Sequence, residues 1–104
     1  MKIVLAFDSF KGSLSSAEAG AACAAGLLSV LPHARTEIVA VGDGGEGTLD
    51  ALGSGRDCQW HTADVSGPLG PRVQARFALC ADRRTALTEL AEASGLTLVP
   101  HGQR

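Results

Sequence analysis

Two short apolar runs, with an amphipathic segment between them, dominate the first half of the chain. Residues 2–7 are almost continuously apolar, which is typical of a strand buried on both faces. Residues 37–41 form a second run of this kind, rich in valine and isoleucine. A strand, a helix and a second strand in this order predict a βαβ unit whose strands run parallel. Ligand sites of such sheets lie at the carboxyl edge of the strands.

The segment between these strands has the pattern of a helix. Ser15 is the expected N-cap, and Glu18 three residues later completes a capping box. The helix should run to about Val30, because Pro32 cannot continue it. Small and apolar residues recur at helical spacing and form the expected buried face: Ala17, Ala21, Ala24, Leu28 and Leu31.

The second half has a different texture, with shorter segments and more turn residues. Residues 57–65 and 73–79 are expected to pair as a hairpin around the Gly-Pro turn that separates them. Residues 85–90 form a strand candidate that leads into a short helix at 91–94. Residues 96–99 are expected to form another strand or an extended tail.

Composition and charge limit the kinds of molecule that we expect the chain to bind. The 104 residues suffice for one small domain, and 45% hydrophobic content argues against disorder. A formal net charge of -2 without runs of like charge argues against nucleic acid or an anionic membrane as partner. No stretch approaches the roughly 20 apolar residues of a membrane span. Three widely spaced cysteines, Cys23, Cys58 and Cys80, indicate reduced thiols in a cytoplasmic protein.

The first candidate site is the polar loop at residues 8–13, between the first strand and the helix. Free backbone N–H groups at a helix start favour a phosphate or carboxylate. Lys11 adds a positive charge, Asp8 a carboxylate, and Ser9 and Ser13 hydroxyl donors. The spacing does not match the phosphate-binding motif G-x-x-x-x-G-K-[ST]. The alternative is a helix-capping loop with a solvated lysine.

The second candidate site is the glycine-rich loop at residues 42–48, which follows the second strand. Its glycines allow positive φ and close approach of backbone to a ligand. Asp43 and Glu46 could hold a divalent cation that bridges them to a phosphate, or one could accept a hydroxyl proton. The alternative is an acidic turn in which Glu46 favours the next helix dipole. Both loops leave adjacent parallel strands, so we expect them to face one hollow.

Outside these loops, single residues carry weaker signals. Glu89 follows a predicted strand and is either a site carboxylate or, more simply, an acid at a helix N-terminus. Arg72 and Arg76 lie on one face of the predicted hairpin and are expected to be solvated. The three histidines have no partner at ligand or triad spacing, so none is assigned a role.

Four motifs, taken in order, closely resemble the type I glycerate kinase family. They are DSFKGSL at residues 8–14, DGGEGT at 43–48, GPLG at 67–70 and ELAEASGL at 89–96. The resemblance extends over essentially the whole chain, and the ordered set is far more specific than any single motif. Two departures are mild: Phe7 replaces a common proline, and Gly42 replaces the usual alanine.

The resemblance implies a kinase that transfers the γ-phosphoryl group of ATP to a hydroxyl of D-glycerate with Mg²⁺. In bacterial members of the family the product is usually 2-phosphoglycerate. It also implies an α/β fold of two domains with the active site in the cleft between them. Residues 1–55 would form a Rossmann-like parallel sheet unit, and residues 56–104 would begin the second α/β domain.

Site residues follow from the motif positions. The predicted catalytic residues are Asp8, Lys11 and Asp43. The predicted substrate- or phosphate-binding residues are Ser9, Gly12, Ser13, Gly44, Gly45, Gly47 and Thr48. The predicted metal ligands are Asp43 and Glu46. Which loop binds nucleotide and which binds glycerate stays open.

Family members are several times longer than this chain, which changes the expectation for activity. Phosphoryl transfer depends on positioning and charge neutralisation from several sides, so part of a cleft should turn over little on its own. Apolar surface meant for further elements should then be exposed, and we expect self-association. The competing interpretation is a non-catalytic α/β module that binds an anion or a partner.

Overall fold

The structure is a computed structural model that describes all 104 residues as a flat molecule of about 52 × 41 × 16 Å. It contains two small sheets and three α-helices. In chain order the elements are β1 (Lys2–Phe7), α1 (Ser16–Val30), β2 (Arg35–Ala40), α2 (Thr48–Ser54), β3 (Cys58–Ser66), β4 (Arg72–Cys80), β5 (Ala86–Thr88) and α3 (Leu90–Ser94). Short 3-10 turns follow at Leu96–Leu98 and His101–Gln103. None of the helices has both the length and the apolar character needed to span a membrane.

The predicted parallel βαβ unit is confirmed. β1 and β2 pair in parallel from Lys2↔Arg35 to Phe7↔Ala40, with α1 connecting them. The capping box is present as well, because Ser15 Oγ accepts the Glu18 N–H while the Glu18 carboxylate accepts the Ser15 N–H. β2 begins two residues earlier than the apolar run suggests, since it pairs along the full length of β1.

The predicted buried face of α1 is wrong except at Ala24. The buried positions are Ser16, Ala19, Gly20 and Ala24, whereas Ala17, Ala21, Leu28 and Leu31 are exposed. The rotation of the helix follows from a close approach at Gly20, where an added Cβ would lie 2.5 Å from Ile38 Cγ2. The glycine therefore determines which face meets the sheet, and the larger residues at the far end of the helix do not.

The expectation that β1 is buried on both faces is also wrong. Leu5 is its one buried residue, on the face that α1 covers. Val4 points to the other face and is 55% exposed, and Val39 of β2 is exposed beside it. Parallel sheets normally carry a layer on each face, whereas here a single helix covers two strands.

The predicted hairpin is confirmed and forms the second sheet, in the order β3-β4-β5. Its turn closes where the Gly67 N–H donates to Pro71 O at 2.8 Å, an approach that leaves no room for a Cβ at Gly67. The expected strand or extended tail at 96–99 is instead a 3-10 turn, because the Leu98 N–H donates back to Gly95 O.

Helix α2 joins the two sheets and contacts both of them. Leu49, at 1% exposure, is the most deeply buried large side chain, and Gly53 packs so closely on Trp60 that a Cβ would lie 2.6 Å from Cζ2. The predicted division between residues 1–55 and 56–104 falls just after α2 and stays a prediction. Only 10 of 104 residues are buried, so most apolar side chains remain within reach of solvent.

Candidate functional site

The two polar loops lie together at one edge of the parallel sheet. We call residues 8–14 the lysine loop and residues 42–48 the glycine loop. Ser9 Oγ in the lysine loop donates to Glu46 O in the glycine loop at 3.1 Å, across 37 residues of sequence. Because β1 and β2 are parallel, the loops that follow them leave from the same edge, as the pattern of strands predicts.

A cleft of about 830 Å³ opens between these loops and the second sheet. The predicted site residues that line it are Ser9, Lys11, Gly12, Ser13, Glu46 and Gly47. Those that do not line it are Asp8, Asp43, Gly44, Gly45 and Thr48. The far side of the cleft is formed by residues of α2, β3, β4 and the segment around α3.

The lysine loop is a tight turn that presents Lys11 to the cleft. Phe10 and Leu14 form an isolated β-bridge, with the Phe10 N–H donating to Leu14 O at 2.8 Å. Gly12 has φ +73°, a conformation that favours glycine. Lys11 makes no ion pair or hydrogen bond. Asp8 instead turns onto its own loop, where Oδ1 accepts the Ser9 N–H at 2.7 Å.

Ser16 fixes this edge of the sheet and was not singled out by the sequence patterns. Its hydroxyl donates to Phe7 O at 2.5 Å and accepts the Val41 N–H at 3.3 Å. One buried side chain thus links the ends of both strands to the first turn of α1. A polar residue directly after the N-cap, at a position that must face the sheet, is the signal that could have identified it.

The glycine loop satisfies most of its own polar groups. Asp43 Oδ1 accepts the Gly45 N–H at 2.8 Å, and Thr48 Oγ1 accepts the Gly44 N–H at 3.0 Å. Gly42 is required sterically, because a Cβ there would lie 2.7 Å from Thr48 Cα. The loop is therefore held from within, and fewer of its N–H groups are free for a ligand than its composition suggests.

Glu89 binds backbone N–H groups at the start of α2. Its carboxylate accepts the Gly47 N–H at 3.2 Å and the Leu49 N–H at 2.7 Å. A carboxylate at a helix N-terminus satisfies unpaired donors and is favoured by the helix dipole. Neither expectation for Glu89 foresaw this contact, since it caps a helix 40 residues earlier in the chain. No local pattern signals it.

Glu46 lines the cleft and has a carboxylate oxygen that accepts no hydrogen bond. Its Oε2 is buried from solvent and has no hydrogen-bond partner. A buried carboxylate oxygen without a partner is costly, so a bound cation or donor there would be stabilising. The chain contains no group of three or more His, Cys, Asp or Glu residues placed to hold a metal ion. Mg²⁺ commonly uses one or two carboxylates together with substrate phosphates and water, and Glu46 fits that use.

Arg76 lies on the far wall of the cleft, where its side chain is 43% exposed, in line with the expectation that it is solvated, but it is also paired with acidic neighbours. Its guanidinium makes a bidentate pair with Asp50, with both N···O distances 3.0 Å. Nε donates to Glu92 Oε1 at 3.0 Å, and the guanidinium lies 5.5 Å from the Trp60 ring centroid. Arg72 pairs with Asp64 on the exposed surface, in line with the expectation for it.

These contacts shift the ionisation of the cluster. The hydrogen bonds that Arg76 donates to Glu92 and then to Asp50 raise the pKa of Arg76 above its ordinary value. Burial raises the pKa of Glu92, but hydrogen bonds and charge from Arg76 outweigh it, so the pKa of Glu92 is lowered overall. Arg76 is therefore occupied by two carboxylates. Lys11 and Arg76 are the only basic residues lining the cleft, which leaves Lys11 as its unpaired cation.

Comparison with known proteins gives one consistent family. The sequence model described as the Glycerate kinase family matches residues 3–104. The chain is 44% identical to Glycerate 2-kinase of Escherichia coli K12 and 47% identical to Glycerate kinase of Bacillus subtilis 168, each over 104 residues. Both alignments cover 100% of this chain and 27% of the relative, so the chain spans about a quarter of their length.

A solved structure gives the same result. The crystal structure of a protein described as glycerate kinase 2 from Salmonella typhimurium LT2 superposes with a TM-score of 0.74 at 43% sequence identity. The superposition covers 100% of this chain and 28% of that one. The mixed α/β arrangement, with a parallel pair followed by an antiparallel sheet, is therefore that of an experimentally solved relative.

Proposed function

This chain belongs to the glycerate kinase family, and we propose that it supplies one wall of a cleft in which D-glycerate is phosphorylated from ATP. Mg²⁺ is the proposed metal, and 2-phosphoglycerate is the proposed product. The name of the Escherichia coli relative, Glycerate 2-kinase, favours 2-phosphoglycerate as the product. The observation that supports the proposal is that Lys11, which has no partner, and Glu46, whose Oε2 has no hydrogen-bond partner, line the same cleft.

The proposed role of Lys11 is to bind an anionic oxygen of a substrate. A lysine with no internal partner can reorient toward a phosphate or a carboxylate without breaking an existing contact. Ser13 and the Gly12 backbone line the cleft beside it and can add hydrogen bonds. Either ATP or glycerate would satisfy this chemistry, since both carry anionic oxygens.

The proposed role of Glu46 is to hold Mg²⁺ through Oε2. When bound, the metal supplies positive charge that neutralises the phosphoryl oxygens during transfer. Asp43, the second predicted ligand, stays a prediction, because its Oδ1 accepts the Gly45 N–H and it does not line the cleft. Glu89 and Thr48 hold the glycine loop in shape, so that Glu46 remains at the cleft.

We propose further that this chain alone does not turn over. In the cleft formed by these 104 residues Lys11 is the one unpaired cation, whereas ATP carries several negative phosphate charges. Phosphoryl transfer is catalysed almost entirely by positioning and by electrostatic stabilisation from several sides. The relatives devote most of their length to sequence that this chain does not match.

A chimera tests the proposal directly. The first 104 aligned residues of the Bacillus subtilis relative are replaced by this chain, and ADP release is measured with D-glycerate and Mg-ATP. We expect turnover in the chimera and none in the 104-residue chain by itself. The chain without its partner sequence serves as the matched control, and product is identified as 2- or 3-phosphoglycerate by NMR.

Each outcome bears on a different part of the proposal. A chimera that folds with a cooperative thermal transition but releases no ADP contradicts the kinase function. Turnover by the 104-residue chain alone contradicts only the statement that it is inactive. Nucleotide or glycerate binding by calorimetry without turnover in either protein would favour a non-catalytic anion-binding module.

A further inference from the structure

We propose that Cys58 and Cys80 form a modification site, which a small disulfide such as oxidised glutathione converts to a cross-strand disulfide. The two residues face each other at the open end of the β3–β4 hairpin. Their Sγ atoms are 2.7 Å apart, whereas Cys23 lies on α1 outside this pair. Because the pair lies away from the lysine and glycine loops, this inference does not depend on the proposed kinase function.

The strand register places the two cysteines where a disulfide can form without moving the backbone. The Ala81 N–H donates to Asp57 O, so those two residues are a hydrogen-bonded pair of the ladder. The next pair, Cys58 and Cys80, is therefore a non-hydrogen-bonded pair, and the Cys80 N–H donates instead to Thr85 O on the other side. In such pairs the Cα atoms are about 4.5 Å apart, within the roughly 4.4–6.8 Å range of disulfides.

Cys80 is only 9% exposed, and a second pocket that it lines is the route that we propose for the oxidant. It has a volume of about 590 Å³ and is lined by Cys80 together with Arg83 and Arg84. Glutathione disulfide carries several carboxylates, and two arginines that line the same pocket as a thiol favour such an anion. The chemistry of the pocket therefore suits an anionic disulfide better than a neutral one.

The surroundings of the two thiols predict which of them reacts first. The S–H···S hydrogen bond to Cys80 is the main cause that raises the pKa of Cys58 to about 11, so Cys58 holds its proton at neutral pH. Cys80 lines the arginine pocket and is the expected first nucleophile. Its thiolate attacks one sulfur of glutathione disulfide, forms a mixed disulfide and releases one glutathione thiolate.

The second step closes the bridge. Cys58 loses its proton to solvent, and its thiolate attacks Sγ of Cys80, which breaks the mixed disulfide and releases the second glutathione. Two protein thiols and one glutathione disulfide thus become one protein disulfide and two glutathione thiols, so the electrons balance. Because deprotonation of Cys58 limits this step, the closing rate should rise with pH through the neutral range.

The test uses the full chain with excess oxidised glutathione, followed by alkylation and intact-mass analysis. We expect the number of free thiols to fall from three to one, with a mass loss of about two daltons and a rise in Tm of about 10 °C. Cys58→Ser should trap a glutathione adduct on Cys80, and Cys23→Ser should still form the bridge. Arg84→Gln should slow the reaction with glutathione disulfide but not with the uncharged 2-hydroxyethyl disulfide.

Several results would overturn the proposal. Three free thiols after prolonged exposure to the oxidant would exclude the bridge, as would a stable glutathione adduct on Cys58 or Cys80 of the unmodified sequence. A bridge that includes Cys23 would show that the register argument is wrong. If Cys58→Ser does not fold, the Cys23→Ser variant still decides between bridge and adduct, because its two remaining thiols are the proposed pair.

Discussion

The lysine loop and the glycine loop leave the same sheet edge and yet differ in what they offer a ligand. The glycine loop has more glycines, but Asp43, Thr48 and Glu89 already occupy three of its N–H groups, and Glu89 also accepts the N–H of Leu49 in α2. The lysine loop is held by backbone hydrogen bonds between Phe10, Ser13 and Leu14, which leaves Lys11 free. Unpaired groups, more than glycine content, are therefore the basis of the proposed ligand contacts: Lys11 on one loop and Glu46 Oε2 on the other.

The largest effect should come from removing the free cation. In the chimera, Lys11→Ala is expected to lower kcat/KM by about 100-fold or more, the cost of losing one preorganised charge at a phosphoryl group. Its thermal stability should not change, because Lys11 has no internal contact to lose. Lys2→Ala, which removes the exposed lysine paired with Glu37, is the matched control and should leave activity unchanged. Equal losses in both variants would contradict a specific role for Lys11.

The next effect should come from opening the glycine loop. Glu89→Ala leaves the N–H groups of Gly47 and Leu49 without their acceptor, so we expect a loss of about 2 kcal/mol in the free energy of unfolding. Urea unfolding of the 104-residue chain measures it. Glu92→Ala is the comparison, since it also removes a carboxylate near the start of α3, but one that contacts Arg76 and not the loop. If Glu89→Ala is as stable as the unmodified chain, the loop is not held as described.

Local sequence patterns predicted most of the helices and strands, but they did not predict contacts between residues far apart in the chain. The capping box at Ser15, the parallel strand pair and the hairpin turn depend on neighbouring residues, so they could be derived from the sequence. The burial of β1 and the face of α1 depend on which layers surround them, and no short segment encodes that. The contacts of Glu89 with the glycine loop and of Arg76 with Asp50 join residues far apart in sequence. The adjacency of the two loops was predictable because it follows from the parallel pairing of β1 and β2, whereas the contact between Glu89 and the glycine loop was not.

A smaller and more selective effect should separate the two acidic residues of the glycine loop. In the chimera, Glu46→Gln is expected to raise the Mg²⁺ concentration for half-maximal activity at least about 10-fold. Stability should stay the same or rise, because the buried oxygen without a partner loses its charge. Asp43→Asn keeps an oxygen for the Gly45 N–H and should change the Mg²⁺ requirement less. The reverse order would make Asp43, the other predicted metal ligand, the main one.

The smallest effect tests whether the second cation of the cleft is structural. The pKa of Glu92 is lowered in the folded chain, so its pairing with Arg76 stabilises the fold above the unfolded pKa of about 4.3 and is lost as pH falls below it. Because Arg76 is partly exposed, the contribution should be about 1 kcal/mol or less. Thermal unfolding from pH 7 to pH 3 measures it, with Arg76→Met as the control. The difference in Tm between the two proteins should be constant down to about pH 5 and should shrink below pH 4, since protonated Glu92 no longer needs the arginine. A difference that persists at pH 3 would mean that Arg76 stabilises the fold through its pair with Asp50 or its packing on Trp60 and not through Glu92.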